Sequence, residues 1–128
     1  MKNEEKFTTG FKSCENKGFQ ITFENGWTIS VQFGKGNYCD RRSFDENSWK
    51  PEADEIVESA NAECAVWDAD GNWMEFDFDQ VIGYQTPDQV AALIARVTAF
   101  RAGNDVLDEN ETRTDIPVYK GMGNKYGD

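Results

Sequence analysis

Phe19-Gln-Ile-Thr-Phe-Glu-Asn-Gly-Trp-Thr-Ile-Ser-Val-Gln-Phe33 decides the fold: two alternating apolar runs meet at Asn25-Gly26, the pattern of a β-hairpin. A two-residue Asn-Gly loop would pair Phe23 with Thr28 and send the two apolar sets to opposite faces. A three-residue loop, Glu24-Asn25-Gly26, pairs Phe23 with Trp27 and Ile21 with Ile29, so the apolar residues share one face. The predicted turn is therefore type I with a glycine bulge. Phe19, Ile21, Phe23, Trp27, Ile29, Val31 and Phe33 then form the core face. Gln20, Thr22, Glu24, Thr28, Ser30 and Gln32 form the polar one, which makes a one-sided sheet.

The same device recurs downstream. Glu63-Cys-Ala-Val-Trp-Asp68 and Asn72-Trp-Met-Glu-Phe-Asp-Phe78 flank the loop Ala69-Asp70-Gly71. The three-residue loop gathers Cys64, Val66, Met74, Phe76 and Phe78 on the core face. It makes Trp67 and Trp73 cross-strand neighbours on the other face, beside Ala65, Glu75 and Asp77. Asp68-x-Asp70-Gly71-Asn72 has the look of a calcium loop, but the glycine at position six and the bidentate glutamate at position twelve of an EF-hand are missing, so it reads as a turn. A helix follows: Thr86 is its N-cap, Pro87 sits in the first turn, Asp88 complements the dipole and Gln89 closes a capping box. Val90, Leu93, Ile94 and Val97 make its apolar stripe, with Arg101 at i+11 and Gly103 as the stop. The expected fold class is α+β: two consecutive hairpins forming a mainly antiparallel four-stranded sheet, covered on one face by a single C-terminal helix.

The rest of the chain is organised around that unit. Residues 1–17 read as a polar N-terminal arm, 18–103 as the ββ-loop-ββ-α domain, and 104–128 as a polar, mobile tail. Between the hairpins, Gly34 to Ser43 reads as loop, and residues 44–60 as loop or as a short helix near Pro51 to Ser59. Gly34-Lys35-Gly36 lacks the spacing and the terminal Lys-Ser/Thr of a phosphate loop. At 128 residues the chain suits one core.

Composition narrows the chemistry. The chain has no histidine, which removes Ser-His-Asp and Cys-His nucleophiles, imidazole acid/base catalysis and mixed Cys/His zinc sites. Cys14, Cys39 and Cys64 contain no CxxC pair and read as reduced, structural thiols. No catalytic residue, metal or cofactor is expected. The start, Met1-Lys-Asn-Glu-Glu-Lys6, lacks the apolar stretch of a secretory signal, and no apolar run approaches the roughly 20 residues of a membrane span, so a cytoplasmic protein is expected.

The net charge of −11 sits in one place: residues 43–79 carry twelve acids and a single base, Lys50, while the two ends nearly cancel. Such a block repels nucleic acid and anionic lipid and speeds encounter with a basic protein surface, or simply keeps a surface solvated. Four of its acids flank the tryptophan pair, so the candidate partner-binding residues are Trp67, Trp73, Asp68, Asp70, Glu75 and Asp77. A basic protein or a second copy of the chain would cover the pair. Otherwise the chain covers it itself, through Phe7 and Phe11 of the arm or Tyr119 of the tail. The alternative is an anionic-ligand site at Lys35, Arg41 and Arg42, since paired arginines suit phosphates.

Gly18-Phe-Gln-Ile-Thr-Phe-Glu-Asn-Gly-Trp-Thr-Ile-Ser-Val-Gln-Phe-Gly34, Gly36-Asn-Tyr-Cys39, Ala65-Val-Trp-Asp-Ala-Asp-Gly-Asn-Trp73 and Gly83-Tyr-Gln-Thr-Pro-Asp-Gln-Val90 together resemble a group of small uncharacterised bacteriophage proteins. The resemblance spans residues 18 to 101 and brings no activity, cofactor or catalytic residue. It implies a viral setting, in which small proteins without catalytic groups commonly bind and block a host component. The expected function is non-enzymatic: an inhibitor or modulator whose acidic surface engages a basic surface of a host protein, such as a nucleic-acid-binding defence component, in the manner of a DNA mimic. A small-ligand or nucleotide sponge and a virion or assembly component are the alternatives. No direct contact with nucleic acid or membrane is expected.

Overall fold

The computed structural model describes residues 8–77 and 79–100. Among these residues five antiparallel strands lie in sequence order: β1 (Gly10–Ser13), β2 (Gly18–Thr22), β3 (Thr28–Gln32), β4 (Ala62–Trp67) and β5 (Ile82–Gln85). One helix, α1 (Pro87–Thr98), packs on β3, β4 and β5. The first hairpin has the predicted register. Ile21 faces Ile29, the Phe23 N–H donates to the Trp27 carbonyl at 2.8 Å, and Gly26 closes the loop at φ 89°, a left-handed angle glycine adopts without strain. β3 and β4 continue the row, with Ile29 opposite Val66 and Val31 opposite Cys64.

The expected count of four strands is corrected to five. The added strand is β1, within the segment read as a polar arm, and it joins the sheet edge with Phe11 opposite Ile21. The strand expected over Asn72 to Phe78 is also replaced. Only its start pairs with β4, through a Trp67–Trp73 bridge and a Met74 N–H to Val66 carbonyl bond of 2.8 Å. Continued, that register would set Phe76 opposite Cys64. Ile82 of β5 holds that position, and Gln85 faces Ala62. The chain therefore leaves β4 after Met74 and turns at Asp77, where φ is 51°.

The core lies between sheet and helix. Trp27, Ile29, Val31, Cys64, Val66, Met74, Phe76, Ile82, Leu93 and Val97 are all buried in one cluster. Met74 and Phe76 reach it although their segment is not a strand, because the in-out alternation survives: Trp73 and Glu75 are exposed, Met74 and Phe76 buried. The capping box of α1 is complete, with the Thr86 hydroxyl accepting from the Gln89 N–H at 3.2 Å and Gln89 Oε1 accepting from the Thr86 N–H at 2.9 Å. Burial of Leu93 and Val97, each contributing roughly 1.5–3 kcal/mol, stabilises a helix too short to persist alone. The helix ends at Thr98, ahead of the expected stop. Arg101, Gly103 and the 104–128 tail lie outside the described residues, as do Phe7, Phe78 and Tyr119.

The long connection between β3 and β4 contains one 3₁₀ turn, Glu46–Ser48, capped by Asp45, and no helix near Pro51 to Ser59. It folds back onto the sheet. Asn37 Nδ2 and the Tyr38 N–H donate to the two Glu63 carboxylate oxygens at 2.8 and 3.3 Å, and the Tyr84 N–H donates to the Tyr38 carbonyl at 3.0 Å. Tyr38 lies so close to β5 that a Cβ on Gly83 would sit 2.7 Å from its Cβ. The face predicted to be polar is also less wet than expected, since Thr28, Ser30 and Ala65 on it are buried.

Candidate functional site

The second hairpin loop is built by Asp68. Its Oδ1 accepts from the Asp70 and Asn72 N–H groups at 3.0 and 2.9 Å, its Oδ2 accepts from Asn72 Nδ2 at 3.2 Å, and Gly71 closes the turn at φ 85°. These contacts engage the carboxylate with backbone and amide donors, as a hairpin turn requires. The Asp68 N–H to Asn72 carbonyl bond (3.0 Å) then fixes the register that sets Trp67 opposite Trp73. The two indoles stack with centroids 4.9 Å apart and planes inclined by 25°. Opposed aromatics at this separation attract beyond their burial.

The pair sits on the sheet face opposite α1, in the row that runs Thr22, Thr28, Trp67. Trp67 is half-buried, while Trp73 is 43 % exposed. Phe11 does not cover it. That residue is aligned with Ile21, Ile29 and Val66 on the helix face, three strands from β4, and is itself 83 % exposed. Of the four acids grouped with the pair, Asp70 and Glu75 are exposed, Asp77 is half-buried at its left-handed backbone position, and Asp68 holds the turn. One short segment thus presents two stacked aromatics among carboxylates.

Lys35, Arg41 and Arg42 are arranged differently. Arg41 Nη2 pairs with Glu55 Oε2 at 2.9 Å, and its Nη1 donates to the Glu58 carbonyl at 3.2 Å. The backbone N–H of Glu52, and then the Arg41 guanidinium, hold the Glu55 carboxyl below the ordinary carboxylate range. The Arg42 guanidinium lies 4.5 Å from the Tyr38 ring centroid and 5.5 Å from that of Phe44, and its Nη1 donates to the Gly36 carbonyl at 3.3 Å. The backbone carbonyl of Lys35 accepts from the Ser43 N–H. Both guanidinia hold the β3–β4 connection in place and are turned to different partners.

That pinning creates a feature the sequence did not announce. Residues 57–61, held by Arg41 and by a 2.8 Å bond from the Asp40 N–H to Asn61 Oδ1, form one wall of a cleft of about 660 Å³ against α1 and the ends of β2 and β3. In the sequence only the helical spacing of Val90 and Ile94 bears on it, and that spacing describes core packing equally well. Comparison of the chain with protein-family models, curated proteins and solved structures finds no match.

Proposed function

We propose that the chain is a non-enzymatic binding protein whose Trp67–Trp73 pair and neighbouring carboxylates engage a basic surface on another protein. The observation that carries this reading is the exposed stack itself. A large aromatic surface left 43 % open at Trp73, on the face away from the core, is costly to hydrate unless a partner covers it. Asp70 and Glu75, both exposed beside it, supply the charge that steers a cationic partner and penalises an anionic one. The resemblance to small bacteriophage proteins is in keeping with an inhibitor or modulator of a host component that itself handles nucleic acid.

The test is comparative capture. Tagged wild-type chain and the Asp70→Lys/Glu75→Lys variant are passed over a bacterial lysate at low and high salt, and bound proteins are identified by mass spectrometry. A basic protein retained by the wild type at low salt, released at high salt and absent from the variant supports the reading. Equal retention by both chains contradicts it.

A further inference from the structure

The cleft beside α1 has a lining that restricts what can occupy it. Phe19 and Phe33 stand at the sheet end, Val57 on the loop wall, and Val90 and Ile94 on the helix, all five half-buried. The volume of about 660 Å³ falls within the range of small-molecule sites, about 300–1,000 Å³. Its walls are already tied in place through Arg41 and Asn61, so filling it orders little new chain.

Two polar features give it direction. Gln85 lines the cleft at 1 % exposure. Its Nε2 donates to the Gly83 carbonyl at 3.2 Å, and among the described residues no group donates to its Oε1. An amide oxygen that receives no donor, in a residue this buried, favours a ligand that brings a hydrogen-bond donor. Glu58 is the one ionisable residue among the described residues that line the cleft. The nearby arginine, Arg41, is already paired with Glu55. Among the described residues the lining holds no lysine or arginine, so an anion entering here would meet the Glu58 carboxylate first.

We infer that this cleft binds a small, largely apolar molecule that is neutral or cationic and carries an N–H or O–H donor, with its ring or chain against Phe19, Phe33, Val57, Val90 and Ile94 and its donor at Gln85. The site is separate from the tryptophan pair, which lies on the opposite face of the sheet. It selects by shape and by the negative charge of Glu58, which disfavours nucleotides, phosphates and fatty carboxylates.

The probe is N-phenyl-1-naphthylamine, a neutral aromatic amine with one N–H that fluoresces in apolar surroundings. Its 8-sulfonate has the same ring skeleton with a fixed negative charge. Titration of the full chain is expected to give saturable fluorescence at one amine per chain, with the sulfonate about tenfold weaker or worse. Gln85→Leu should weaken the amine about fivefold while the melting curve stays cooperative. Ala91→Trp, an exposed helix position at the cleft mouth, should abolish binding. In the wild type, amide NMR shifts on adding the amine should centre on Val57, Gln85 and Val90, a readout that does not depend on any variant folding. Absence of a saturable signal, as when the chain's own residues or a second copy already fill the cleft, overturns the inference. So do equal binding of amine and sulfonate, undiminished binding by a folded Ala91→Trp, or amide shifts confined to other surfaces.

Discussion

Asn25, in the loop of the first hairpin, donates from Nδ2 to the carbonyl of Val97 near the end of α1 at 2.9 Å, across 72 residues of sequence. The same nitrogen reaches the Phe100 carbonyl at 3.1 Å, and Oδ1 accepts from the Trp27 N–H at 3.0 Å. One amide therefore closes the turn and adds a side-chain donor at the helix end, where the Val97 carbonyl also accepts from the Phe100 N–H at 3.1 Å. Beside it, the Trp27 and Phe100 rings meet edge to face at 4.9 Å. Asn25→Ala should cost about 1–3 kcal/mol in urea denaturation. Asn25→Asp keeps the acceptor but turns a carboxylate toward two carbonyls and the negative end of the helix, so it should cost at least as much. An Asp variant closer to wild type than the Ala variant would show that the donor half of the amide is unimportant.

Phe76 is 2 % exposed and packs in the core from a segment that is not a strand. Phe76→Ala should lower stability by about 3–5 kcal/mol through the cavity it leaves. Phe44, 90 % exposed, is the control: Phe44→Ala should stay within about 0.5 kcal/mol. Thermal melts of the two variants check both values, and similar losses would mean that burial does not order them.

What the sequence revealed and what it hid divide along physical lines. The first hairpin was legible because alternation, Asn25-Gly26 and the need for a single apolar face allow one register. The Trp67–Trp73 pairing followed from the same logic. β1 was not legible, since four residues with one apolar side chain, Phe11, give no period to read. β5 was hidden by Gly83, a poor strand residue that is there because Tyr38 approaches it. The strand over Asn72 to Phe78 was over-extended because periodicity reports which side chains point inward and not which segment occupies the edge of β4. Arg41 and Glu55 join two points of an irregular connection, and no local pattern encodes that contact or the cleft wall it supports.

Cys64 is fully buried, and burial, with a smaller contribution from the Glu63 charge, pushes its thiol pKa up to about 12. The folded chain thus keeps the proton after the unfolded chain, with an ordinary thiol near 8.5, has lost it. Stability from this group is fully present below the unfolded value. It falls as pH rises toward the folded value, by up to about 1.4 kcal/mol per pH unit. Urea midpoints across the alkaline range should decline less steeply for Cys64→Ala than for the wild type. Parallel declines would remove Cys64 as the cause.

Charge reversal should separate the acids by role. Asp70→Lys with Glu75→Lys should slow association with a basic partner and flatten its salt dependence, with little change in melting temperature. Asp68→Lys should instead destabilise the fold by about 1–3 kcal/mol, because it removes the acceptor of three turn hydrogen bonds. Stopped-flow association rates and melts of the two variants distinguish these outcomes. A stable Asp68→Lys chain would mean that the loop does not depend on its carboxylate.

The most direct measurement is the affinity of the Trp67→Ala/Trp73→Ala chain for the protein that the wild type captures, with a thermal melt taken in parallel. An interface role predicts an affinity loss of about thirtyfold or more, the effect of removing a side chain that contributes about 2 kcal/mol at an interface centre. The melting temperature should drop only a few degrees, since an exposed cross-strand pair contributes about 0.2–1 kcal/mol to folding. Unchanged affinity, or a collapse of stability with or without the partner, would contradict the assignment of this pair as the binding surface.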